Sequence, residues 1–100
     1  MGGFNQVGRA ALTVSTSSVP LVLPADTRPR HALIYVGGQP VRWRADGTDP
    51  TSTTGMYVAA GAYIDWTDPL WDYYAFLSRV EFIRDSTAGA DATLEIAFLS

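Results

Sequence analysis

At 100 residues, with 47% hydrophobic and 17% charged side chains, the chain is long enough for one domain with its own core. A net charge of −3 argues against a general nucleic-acid binder, which presents a basic patch, and no run of about 18 apolar residues is available to span a membrane. Cysteine is absent, which excludes disulfide staples and thiolate chemistry, and all seven basic residues are arginine.

In chain order the pattern is β almost throughout. The start, MGGFNQVGRAAL, has no basic segment followed by an apolar one, so no secretory signal is expected. Residues 1–9 read as an N-terminal arm that lies against a partner or another subunit, with Phe4, Val7 and Arg9 as contact candidates; residues 10–100 read as a single domain. Residues 9–17 alternate, with Leu12 and Val14 on one face and Thr13 and Ser15 on the other. Residues 19–23 are a short apolar run fenced by Pro20 and Pro24. Proline cannot donate to a ladder, so this piece is an edge strand or a linker between sheets. Residues 25–30 read as a turn.

Residues 31–36 (HALIYV) are apolar on both faces, as in a strand covered on both sides, which leaves Leu33 and Tyr35 for a subunit contact. Gly37 and Gly38 then predict a tight hairpin turn, with residues 39–44 as its return arm. On that arm Val41 and Trp43 face inward and Arg42 and Arg44 outward. Residues 45–55 form a loop longer than the 2–5 residues a hairpin needs, roughly, so Asp46 and Asp49 join the contact candidates. Strands are predicted over 56–59 and 62–67, the second with Ala62, Ile64 and Trp66 on one face. Asp68-Pro69 suits the start of a short helical turn. Residues 77–84 are predicted as a strand with Val80 and Phe82 inward and Arg79 and Glu81 outward. Residues 92–99 close the chain with Leu94, Ile96 and Phe98 inward and Glu95 outward. The total is about seven or eight short strands at spacings of roughly 8–12 residues, which predicts an all-β, antiparallel, jelly-roll-like β-sandwich.

The residues offer little reaction chemistry. His31 is the only histidine, whereas a cupin-type metal site takes several. Asp26, Asp46 and Asp49 sit in loops, but DGTDP lacks the spacing of a calcium loop, and Asp in turns caps its own backbone. Neither an enzyme nor a cofactor or metal is expected. For Arg42 and Arg44 the plain reading is cross-strand pairing with carboxylates, with Arg79, Glu81 and Glu95 as a similar outward set; the sharper one is bidentate contact with a partner. The segment from 66 to 76 holds five aromatic rings. Trp66 and Phe76 are assigned to the core, and Trp71, Tyr73 and Tyr74 to a contact surface or a platform for a sugar ring.

The runs ALIYVGGQPVRWRADGTDPT, GMYVAAG and VEFIRDSTAGADATLEIAF together span about residues 31–99 and resemble small proteins encoded in the structural gene clusters of tailed bacteriophages. The resemblance implies a small β-sandwich with an architectural role in the virion, made in the host cytoplasm. It further implies, as the main expectation, a capsid cement or decoration protein on the capsid surface, with the major capsid protein and copies of itself (a dimer or trimer) as partners. A head–tail connector or tail component is the alternative within the virion. A carbohydrate- or receptor-binding module is the alternative outside that class. Neither nucleic acid nor membrane is expected as a partner.

Overall fold

The computed structural model describes residues 6–25 and 27–100. Among these, eight strands follow in chain order: β1 (Gln6–Val14), β2 (Val19–Pro20), β3 (His31–Gly37), β4 (Val41–Arg44), β5 (Met56–Val58), β6 (Tyr63–Trp66), β7 (Glu81–Arg84) and β8 (Ala92–Leu99), with one helical turn, α1 (Tyr74–Leu77), between β6 and β7. They form two four-stranded sheets, ordered β1-β8-β3-β6 and β2-β7-β4-β5. Every ladder is antiparallel. The protein is therefore all-β, with two sheets in sandwich-like packing around one core.

Two-residue alternation builds that core. From the first sheet, Val14, Ala32, Ile34, Val36, Ile64, Leu94, Ile96 and Phe98 turn inward; from the second, Val41 and Phe82. Leu77 at the end of α1 and Val80 just before β7 belong to the same buried cluster. Leu12, Trp43 and Trp66 are partly buried against the same cluster, so the predicted facings of 9–17, 41–44, 62–67 and 92–99 hold. β2 is an edge strand, where Pro20, which has no amide to donate, is tolerated.

Several expectations are corrected. Gly37 and Gly38 do not make a hairpin. β3 and β4 lie in different sheets, and Gly38, at φ +83°, turns the chain across the core from one to the other. A glycine pair marks a sharp turn but does not say whether the next strand pairs with the last. The partners of β4 are β7 and β5. The strand expected from 77 begins only at Glu81, because residues 74–77 close a helical turn whose last amides, at Leu77 and Ser78, donate to Tyr73 O and Tyr74 O. Asp68-Pro69 starts a tight turn and not that helix: the Asp68 carboxylate accepts the Leu70 amide at 3.0 Å, and the Asp68 carbonyl accepts that of Trp71 at 3.1 Å. Glu81 and Glu95 stand in different sheets, so Arg79, Glu81 and Glu95 form no common outward set. Finally, β1 already begins at Gln6. Residues 6–9, assigned to the arm, are ladder residues opposite β8, with a bulge at Val7 where the register slips between Gln6 and Gly8. The earlier part of the arm, with Phe4, lies outside the described residues.

Candidate functional site

The RWR strand and the long loop after it form one assembly. Arg42 leaves β4 on the outer face of its sheet and donates from Nε to Asp85 Oδ1 at 2.6 Å and from Nη1 to the Gly55 carbonyl at 3.0 Å. Its guanidinium also lies 5.6 Å from the Tyr57 ring centre. Asp85 is buried just beyond β7 and accepts the Thr87 amide and hydroxyl as well. Those two donations, followed by Arg42, hold its carboxyl down at a pKa of about 2. The loop folds back over this face. Pro50 is buried, the Ser86 amide donates to Ser52 O at 2.9 Å, and Pro50, Thr51 and Ser52 line a shallow cavity with Ile83. Ile83 is buried although alternation turns it outward. The length of the loop is thus used inside the chain, to cover Ile83 and close over the Arg42–Asp85 pair.

Arg44 turns to Asp46 in its own loop, and Asp46 also accepts the Thr48 amide at 3.1 Å. Asp46 is exposed and Arg44 half-buried. Their mutual hydrogen bond is the main reason that the Asp46 carboxyl is lowered and the Arg44 guanidinium raised. Asp49 is exposed on the same loop, while Asp26 lies outside the described residues. Among the described residues no three His, Asp or Glu side chains gather as a metal ligand set.

The aromatic segment does not form one platform. Trp43, Trp66 and Phe76 meet edge to face with centroids 4.8–5.7 Å apart, and Tyr73 continues the chain of rings to Phe76 at 6.2 Å and His31 at 5.8 Å. Tyr73 is therefore part of the packing against the core. Tyr74 lies beneath the Arg28 guanidinium, 4.5 Å away. Trp71 is the one ring of the three that stands free of these contacts; it is 65% exposed, next to Leu70 at 89%. The turn that carries them is fixed by Asp68, whose carbonyl also accepts His31 Nε2 at 3.0 Å, and by the Tyr73 amide, which donates to Arg30 O at 2.9 Å. Leu70 is not apparent from the sequence as a surface residue, because an apolar residue in an aromatic run reads equally as core.

Of the arm candidates, Val7 packs partly against the core. Arg9 points out from β1, 79% exposed, with Glu95 of β8 at 3.9 Å. It shares the outer face of the β1-β8-β3-β6 sheet with Leu33, Tyr35 and Tyr63, and the two tyrosine rings lie 5.2 Å apart. The candidates accordingly divide among three places: the loop-covered face of the second sheet, the Leu70–Trp71 turn, and the open face of the first. No protein-family model, curated protein or solved structure matches the chain.

A pH experiment checks the Arg42–Asp85 assembly. The carboxyl of Asp85 is depressed from 3.8 to about 2 on folding. Its contribution is therefore complete above the unfolded value and is lost as pH falls toward 2. Asp85→Asn should be less stable than the parent at neutral pH, and the difference should narrow between pH 4 and pH 2. Denaturant midpoints measured across that range would show this. A constant difference would mean that Asp85 is not held as its hydrogen bonds imply.

Proposed function

We propose that this protein is a non-enzymatic structural component of a tailed-phage virion, and specifically a cement or decoration protein that binds the major capsid shell. The observation that carries this reading is the Leu70–Trp71 turn. Two large apolar side chains, 89% and 65% exposed, stand on a turn fixed by hydrogen bonds on both sides, and the core does not use them. Rigid aromatic and aliphatic anchors of this kind supply much of the affinity at protein interfaces.

The proposed architecture is a jelly roll, and the pairing order supports it. β1 pairs with β8, β2 with β7, β3 with β6 and β4 with β5, as in one long antiparallel hairpin. The β3–β8 and β4–β7 ladders then roll that hairpin into two sheets. Viral capsid domains, lectins and cupins share the jelly roll. The fold alone does not choose among them; the resemblance of residues 31–99 to phage structural proteins favours the first. A sugar platform has less support, because Tyr73 and Tyr74 are engaged within the chain and leave Trp71 as a single ring.

The test is to add the purified protein to capsids that lack it and to measure binding and capsid melting. Binding with a raised melting temperature is the expected result, at many copies per particle; a single ring of copies would indicate the connector alternative. The double variant Leu70→Ser, Trp71→Ala should lose binding while its own stability stays within about 0.5 kcal/mol of the parent, since both side chains are exposed. No binding by the unaltered protein would sink the proposal.

A further inference from the structure

The open face of the β1-β8-β3-β6 sheet is built in two unlike halves. Its outward residues fall in rows fixed by the ladder register. One row runs Arg9, Ala97, Leu33, Asp65 from β1 to β6, and the next runs Ala11, Glu95, Tyr35, Tyr63. The β1–β8 half therefore carries two alanines, Ala11 and Ala97, and the Glu95 carboxylate, with Arg9 at its outer edge. The β3–β6 half carries the large ones, Leu33, Tyr35 and Tyr63, with Asp65 at its outer edge. Tyr63 is 64% exposed, and the centre of the face forms a shallow depression lined by Leu33, Tyr35, Tyr63 and Ala97.

We propose that this face binds a second copy of the chain around a two-fold axis that lies in the interface, parallel to the strands and between β8 and β3. Rotation about that axis exchanges the two halves. It sets Arg9 opposite Asp65 of the partner subunit, Leu33 opposite Ala97 of the partner subunit, Tyr63 opposite Ala11 of the partner subunit, and Tyr35 opposite Glu95 of the partner subunit. Leu33 and Tyr63 then meet alanines, the Tyr35 hydroxyl has the partner's Glu95 carboxylate as an acceptor, and opposite charges meet at both edges, roughly 14 Å apart for strands about 4.8 Å apart. A self-complementary patch of this kind is what a two-fold interface requires. A second copy is favoured over an unrelated partner because the complementarity is within the patch itself: each half supplies what the other lacks. Four strands of this length present a footprint of roughly 500 Å², below the roughly 800 Å² per partner of a standard interface, so the dimer belongs to the weak, concentration-dependent class. The inference is independent of the proposed capsid role.

The experiment is sedimentation velocity on the full chain from about 1 to 500 μM, with three charge-reversed variants: Arg9→Asp, Asp65→Arg, and the two together. Both sites are exposed, and circular dichroism and melting confirm that each variant is folded. The parent is expected to move from 10.8 kDa toward twice that mass. Each single variant should remain monomeric, because it places like charges at both edges. The double variant should dimerise again, and an equimolar mixture of the two single variants should form a heterodimer, since both edges then regain opposite charges. A parent that is monomeric throughout, a trimer, or a dimer indifferent to the single reversals would overturn the proposal.

Discussion

Phe82→Ala is expected to destabilise the fold by about 3–5 kcal/mol, the range for truncating a buried phenylalanine. Phe82 has no exposed surface and is among the largest fully buried side chains. It sits on β7 in register with Val19 of β2 and Trp43 of β4, in the middle of its sheet, and faces the inward side chains of the other. Neighbours held by ladders on both sides cannot collapse into the space left behind, so the loss includes a cavity as well as the lost transfer energy. Domains of this kind have about 5–15 kcal/mol in total, so the variant should unfold at a much lower urea concentration with an unchanged slope. A loss below about 1 kcal/mol would mean that β7 does not run through the centre of the core.

Gly55→Ala should cost about 1–3 kcal/mol, for a reason unrelated to burial. Gly55 has φ +119°, and a Cβ there would lie 3.0 Å from the Trp43 carbonyl oxygen, which is backbone and cannot move aside without disturbing β4. The carbonyl of Gly55 also accepts Arg42 Nη1, so a shift at this residue loosens the loop over Ile83. For a domain of 100 residues, each kcal/mol is worth roughly 4–8 °C in melting temperature. Gly47→Ala is the control. It also has positive φ, +86°, but nothing lies within 4 Å of its Cβ, so it should cost less and leave the loop closed. Limited proteolysis distinguishes them: cleavage within 45–55 should quicken in Gly55→Ala only. Equal effects at the two positions would remove the role given to the close approach.

The two substitutions mark what could and could not be read from sequence. The inward position of Phe82 follows from alternation with Val80, and the outward position of Arg42 from alternation with Trp43. The special role of Gly55 does not follow from any local pattern, since the loop that holds it looks like a surplus of polar residues. Its cover over Ile83 depends on where β7 lies beside β4, and those strands are separated by 36 residues between Arg44 and Glu81. The same holds for the surfaces. The outward position of Tyr35 and Tyr63 is local, but their ring contact requires the β3–β6 register. Trp71, Tyr73 and Tyr74 look alike in sequence, and only the positions of Arg28, His31 and Phe76 divide them into one exposed ring and two engaged ones.

By itself, then, the sequence determined that the chain is all-β, where most strands run and which side of each is buried. These properties come from the two-residue period of the strand and from the backbone limits of proline and glycine. Only the tertiary structure decided which strands are neighbours. Gly37-Gly38 reads as a hairpin yet crosses between sheets, and the β4–β5 connection through the long loop is the one between consecutive strands that stays within a sheet. Strand pairing is set by how the whole set of inward faces closes over one core, a non-local condition that no short stretch of side chains carries. Every candidate surface here is made by that closure: the loop against Ile83, the free turn at Leu70 and Trp71, and the two unlike halves of the open sheet.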